Sequence, residues 1–172
     1  MKSQPNRNYV SNDVVQTPAD LARRIVEHFK PSGRVMEPCA GDGAFTCALR
    51  EQLDVEIVKE CEILRGVDFL TCPDEDFDWI MTNPPWSQVR PFLVHSMKLA
   101  SEVVFLITVN HVWTKARLRD VREAGFGIKE ICLCEMPKEF PQSGFQLAAV
   151  HLSKGWVGDI SLTDIFLPRE TN

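Results

Sequence analysis

The stretch that decides the fold spans residues 77–87, FDWIMTNPPWS. Its first five residues form a short apolar run that reads as a buried strand, and the run ends in an amide, two prolines and a tryptophan. Prolines stop strands, so a plain stop would account for Pro84 and Pro85. It would not account for a large aromatic next to an amide. Asn83 and Pro84 each precede a proline and are pushed to extended geometry, while the rings fix φ at 84 and 85. Such a stiff corner can aim two acceptors, the Asn83 side-chain oxygen and the Pro84 carbonyl, at one point. An exocyclic NH2 group carries two N–H donors and matches them.

The surroundings place this corner in an alternating pattern. Upstream, QTPADLARRIVEHF (16–29) reads as a helix with Thr17 as N-cap, Pro18 at its first position, Asp20 near a capping box, and an apolar stripe of Leu21, Ile25, Val26 and Phe29. GRVMEPCAGDGAF (33–45) reads as a strand, a glycine-bearing turn and a helix start, and VEIVKECEI (55–63) as a second strand. Downstream come the helix VRPFLVHSMKLA, the very apolar strand VVFLITV, the helix TKARLRDVREAG, and two strands, IKEICLCEM and FQLAAVHLS, joined by the loop PKEFPQSG. The tail, 153–172, has weak signals and reads as peripheral. Strands alternating with helices predict an α/β domain with a doubly wound, mostly parallel sheet. The last two strands have only a loop between them, too little for a parallel crossover, and are expected to be antiparallel.

At 172 residues this is one ordinary domain. No apolar run approaches the roughly 20 residues a membrane span requires, and MKSQPNRNYVSND has no signal-peptide core. The six cysteines lack a regular metal spacing and read as small buried hydrophobes of a reducing compartment, so the cytoplasm is expected and no metal. The net charge of −5 argues at first against a nucleic-acid partner. The acidity is local, however: residues 54–78 hold nine acids and two bases, and the rest of the chain is slightly basic. Charge alone leaves the partner open.

In doubly wound sheets ligands bind beyond the carboxyl ends of the strands, where the informative residues fall. Gly41 and Gly43 permit a tight turn and close approach of backbone to a ligand. The third glycine of the dinucleotide pattern is missing, and no P-loop lysine follows. Glu37 before the turn would repel phosphate and suits a ligand bearing an ammonium group. An acid ending the second strand can accept both hydroxyls of a ribose. Glu62 is preferred over Glu60 because it ends the strand-like run. Asp68 could accept from an adenine amino group with Phe69 against the ring, or Phe69 is plain core.

EPCAGDGAF, DFL and TNPPW, in that order and after QTP, resemble the motif series of S-adenosylmethionine-dependent amino-methyltransferases, especially the adenine-N6 DNA methyltransferases, over residues 14–150. The resemblance implies a Rossmann-like class I fold with S-adenosyl-L-methionine as cofactor. Thr17, Glu37 and Pro38 would lie at its methionine end, Gly41 and Gly43 against it, Glu62 on the ribose, and Asp68 and Phe69 at the adenine. Asn83, Pro84, Pro85 and Trp86 would form the catalytic corner, with Trp86 stacked on the target base, worth roughly 1–3 kcal/mol. Phe140, or its competitor Phe145, would cover the other face of the base. DNA is the implied partner, its adenine single-stranded or flipped out of the duplex. Lys115, Arg117, Arg119 and Arg122 could touch phosphates or simply form a solvated helix face. His111 is given no role, since the transfer needs no general base beforehand.

Two departures qualify the resemblance. Only five residues separate Glu62 from Asp68, too few for a helical crossover, so the expected pocket is more open than in larger relatives. No stretch is long enough for a target-recognition region, which implies relaxed or very short sequence preference, a partner subunit, or a homodimer. Compact chains of this kind resemble those of bacteria and their viruses. Two other readings stay open: transfer to RNA adenine, cytosine N4 or a protein glutamine amide, and a non-catalytic subunit of a larger methyltransferase. The intact Asn83 and both prolines weigh against the last.

Overall fold

A computed structural model describes residues 15–73, 75–142 and 144–166; the N-terminal stretch 1–14 and the end of the tail, 167–172, lie outside the described residues. The strands are β1 (Gly33–Glu37), β2 (Val55–Glu60), β3 (Phe77–Thr82), β4 (Ala100–Thr108), β5 (Phe126–Cys134), β6 (Leu147–Lys154) and β7 (Ser161–Asp164). They make one sheet in the order β2-β1-β3-β4-β6-β5-β7. Strands β2, β1, β3 and β4 run parallel, and β6 enters antiparallel between β4 and β5, so the expected final antiparallel pair is present. Residues 161–164, which carry no strand signal of their own, pair parallel to β5 at the sheet edge.

Helices α1 (Ala19–Phe29) and α2 (Ala44–Arg50) cover one face of the sheet, and α3 (Val89–Leu99) and α4 (Lys115–Glu123) the other. Strand β4 shows why two layers are needed. Val103, Phe105 and Ile107 point into the α3/α4 side, Val104 and Leu106 into the α1/α2 side, and all five are buried. An apolar run without alternation is what burial on both faces demands.

The start of α1 differs from expectation. Pro18, not Thr17, is the N-cap residue, and no side chain caps the helix. Asp20 turns to Arg23 and Arg24 (2.6 and 3.0 Å) instead of closing a capping box. Proline has no N–H to leave unpaired ahead of the helix, and Thr17 is released for a contact described below.

Among the described residues between β2 and β3 there is no α-helix and no further strand. They hold two 3₁₀ turns, Ile63–Arg65 and Phe69–Thr71, capped by the carboxylates of Glu62 (to Leu64 N, 2.9 Å) and Asp68 (to Leu70 N, 3.0 Å). Cys61 and Cys72, at the two ends of this segment, place their sulfurs 3.1 Å apart. The truncated crossover expected from the Glu62–Asp68 spacing is therefore present, and β2 lies at the sheet edge. Among the described residues no helix is long and apolar enough to cross a membrane.

Candidate active site

A cleft of about 260 Å³ opens at the carboxyl ends of β1 and β3. Its walls include Pro38, Cys39 and Gly41 from the glycine turn, Glu62, Asp68 and Phe69 from the truncated crossover, and Asn83 and Pro85 from the corner after β3. The placement follows from the topology: parallel neighbours deliver all their carboxyl-end loops to one edge.

The glycine turn is built by backbone conformation. Gly41 (φ +51°) and Gly43 (φ +88°) are both in the left-handed region, which other residues adopt at a cost. A Cβ on Gly41 would also collide with the Gln16 side-chain oxygen. That oxygen accepts from Asp42 N (3.0 Å), so Gln16 lies over the turn. Glu62 latches the other side: one carboxylate oxygen accepts from Gly41 N at 2.6 Å while the other caps its own turn. Glu60 instead faces Arg65 and Arg50 (3.2 and 3.8 Å), away from this latch. Of the two candidates for a ribose, the structure brings Glu62 to the cleft.

Glu37 ends β1 fully buried. One carboxylate oxygen accepts from Cys39 N at 3.1 Å; the other makes no well-formed hydrogen bond among the described residues, although the nearby Thr82 hydroxyl favours the ionised form in part. Burial pushes its carboxyl up to about 8. A carboxylate so placed is stabilised by a cation. Phe69 is buried in the α3/α4-side core against Phe92 (ring centroids 5.3 Å) and also lines the cleft.

Asn83 is held with its amide oriented. The Nδ2 group donates to Val15 O and to Thr17 Oγ1, both at 3.3 Å, which leaves Oδ1 buried and without a partner among the described residues. Both bonds come from the segment before α1, so the released Thr17 hydroxyl now fixes which way the amide faces. Pro84 is buried behind it and Pro85 lines the cleft.

Trp86 begins a short 3₁₀ turn (Trp86–Gln88) and packs against both core layers. Its indole N–H donates to Leu106 O at 3.3 Å. Phe140 does not face it across a gap. The rings meet edge to face at 5.9 Å and 71°, and Phe140 is buried. Rings already in such contact leave no slot for a base between them. The expected second face is thus corrected: Phe140 props the plane of Trp86. Phe145 is half exposed.

On α4, Lys115, Arg119 and Arg122 are exposed, but Arg117 turns inward and donates from Nη1 to His111 O at 2.8 Å. Its Nε is buried with no partner among the described residues, so it is not presented to solvent as a phosphate contact would be. His111 lies near Trp86 (6.0 Å between rings), and burial lowers its pKa, favouring neutral imidazole.

Sequence reading missed two parts of the site. Gln16 has no signature beyond its place in QTP. Ile63, Leu64 and Val67 line the cleft although each is substantially exposed, and apolar residues in an acidic, non-periodic stretch were their only signal.

No protein-family profile matches the sequence, and no curated protein does. Solved structures do. A candidate class I S-adenosylmethionine-dependent methyltransferase from Listeria monocytogenes superposes with a TM-score of 0.63 at 13% identity, over 92% of this chain and 68% of its own. A modification subunit of a candidate type I restriction enzyme from Vibrio vulnificus gives 0.62 at 16%, over 96% and 50%. The M protein of the type I restriction enzyme EcoKI gives 0.56 at 14%, over 91% and 49%. The chain spans about half the length of these two subunits. At such identities the likeness establishes the fold: a Rossmann-like α/β sheet of the class I methyltransferase kind.

Proposed function

We propose that the protein transfers a methyl group from S-adenosyl-L-methionine to the exocyclic N6 amino group of adenine in DNA, with relaxed or very short sequence preference. The observation that carries this reading is the buried Oδ1 of Asn83, unpartnered among the described residues, beside a cleft bordered by Gly41, Glu62 and Asp68. A buried acceptor without a donor is costly, and a ligand N–H is the natural remedy.

The residues fit the cofactor by their donor set. Glu37 has a buried carboxylate oxygen in want of a cation, the positive-φ glycines keep the turn free of side chains, and Glu62 and Asp68 stand along the cleft as acceptors for hydroxyl and amino groups. When bound, the cofactor supplies an electrophilic methyl on sulfonium sulfur. The chain's own work lies on the acceptor side. An adenine amino nitrogen has its lone pair delocalised into the ring and is a poor nucleophile. Asn83 Oδ1 and the Pro84 carbonyl, accepting both N–H groups, favour a tetrahedral nitrogen with its lone pair released. These bonds strengthen as positive charge grows on nitrogen, so they stabilise the transition state more than the ground state. The Val15 and Thr17 contacts hold the amide in the required orientation beforehand, which is preorganisation. Trp86, fixed by Leu106 O and Phe140, offers a stacking surface.

Likeness to modification subunits of restriction enzymes supports DNA as the acceptor and a partner subunit or second copy as a source of recognition. The experiment is to offer purified protein and labelled cofactor to unmodified DNA, RNA and protein, followed by nucleoside and amino-acid analysis. N6-methyladenine from DNA alone, abolished by Asn83→Ala, is the expected result. Label chiefly in RNA or protein would replace the acceptor, and transfer appearing only with a partner chain would make this a subunit.

A further inference from the structure

Glu130 and Cys132 stand two apart on β5 and share its α1-facing side. The last turn of α1 brings His28 to the same place, with Nε2 2.5 Å from Glu130 Oε1. Strand β7, in register with Cys132 opposite Thr163, adds a hydroxyl that donates to the same carboxylate oxygen at 2.5 Å. A His28 ring nitrogen, a Glu130 oxygen and Cys132 Sγ all lie within 4.8 Å of one another. No local pattern announces this cluster, because His28 and Glu130 are 102 positions apart and meet only through the packing of α1 on β5.

We propose that His28, Glu130 and Cys132 bind one Zn²⁺ ion, clasping α1 and β7 onto β5. One nitrogen, one oxygen and one sulfur donor are the set zinc accepts, and thiolate with imidazole disfavours magnesium and calcium. Zinc bonds of roughly 2.0–2.3 Å put tetrahedral ligands about 3.3–3.8 Å apart, so His28 and Glu130 need part by only about an ångström to admit the ion. Thr163 is the outer-shell group that orients the carboxylate. Cys132 is buried, whereas the His28 and Glu130 side chains remain 26% and 18% exposed, leaving a path of entry. Three protein ligands leave a fourth position for water. The site is separate from the cleft: His28 lies some nine residues, or about 14 Å of helix, beyond the start of α1. The competing account is a plain ion pair at a helix carboxyl terminus with Cys132 as filler.

Titration of the purified chain with Co²⁺ separates the two. The site predicts one equivalent bound, with tetrahedral visible bands and a near-ultraviolet sulfur-to-cobalt band, all displaced by Zn²⁺. Cys132→Ser should remove the sulfur band, while Cys47→Ser, at an exposed thiol on α2, should keep it. His28→Gln should weaken binding by about 10–100-fold, and it decides the matter if the buried Cys132 variant does not fold. Zn²⁺ at a hundred times Kd should raise the melting transition by roughly 5–10 °C, reversibly with chelator. A sulfur band that survives Cys132→Ser, or unchanged affinity in His28→Gln, overturns the proposal. So does a melting transition indifferent to zinc.

Discussion

Replacing Glu37 by glutamine tests the site and the physics of burial together. An ordinary glutamate titrates near 4.5, and burial moves Glu37 up to about 8. Each unit corresponds to about 1.4 kcal/mol, so the ionised form is disfavoured in the fold by as much as about 5 kcal/mol. Because the folded pKa is raised, the folded chain keeps a proton between pH 4.5 and 8 that the unfolded chain has released. Stability therefore falls as pH rises through that window and levels off above it. Glu37→Gln cannot titrate. The difference between the two melting curves should thus be small near pH 4.5 and widen toward pH 8.5, the variant ending higher by roughly 10–20 °C. S-adenosylmethionine adds the functional arm: its ammonium group should narrow that gap by stabilising the wild type at high pH, and the variant should bind it at least tenfold more weakly. Parallel pH profiles for the two proteins would refute the burial reasoning. Unchanged cofactor affinity in the variant would remove Glu37 from the cofactor site while leaving the burial reasoning intact.

Asn83→Ala should cut turnover by about 10²–10³-fold, the scale for losing one transition-state acceptor or donor, with cofactor affinity nearly unchanged by calorimetry; equal loss of both would make Asn83 structural. Gly41→Ala meets the Gln16 oxygen and a φ of +51°, so it should lower stability by about 1–3 kcal/mol and weaken cofactor binding; Gln16→Ala in the same chain should restore only part, since the backbone cost stays. Trp86→Phe loses the bond to Leu106 O, worth about 1 kcal/mol, and should melt slightly lower in denaturant, whereas Trp86→Ala opens the contact with both core layers and should cost about 3–5 kcal/mol. A disulfide oxidant should join Cys61 to Cys72 before any other pair, as peptide mapping would read, because their sulfurs are already 3.1 Å apart; burial pushes the Cys61 thiol up to about 12, so entry should be through the less buried Cys72.

The parts of this molecule that were legible in its sequence are those written locally. Proline geometry at 83–85 announced the corner, the unbroken apolar run of β4 announced a central strand, and the short link between Glu62 and Asp68 announced the missing crossover. What escaped reading depends on packing between distant segments. Strand β7 is weak on its own and exists because β5 has an edge to offer. Phe140 was a free aromatic in a loop until its neighbours turned it edge-on to Trp86. Arg117 looked like one base among four, and only the position of the His111 carbonyl decides that it points inward. Thr17 had the signature of a helix cap, yet proline at the next position took the cap and left its hydroxyl for Asn83.

The uneven placement of charge acquires a direction once the strand order is known. The acid-rich residues 54–78 form β2, the turns after it and the start of β3, along one flank of the sheet. The exposed bases of α4 sit beyond β4, where that helix packs on β5, toward the opposite flank. A polyanion drifting toward such a molecule experiences a torque before any contact forms. It is deflected from the β2 flank and swung toward α4, so the approach geometry is selected in solution, and added salt, by blunting that torque, would loosen the selection without altering any group at the corner itself.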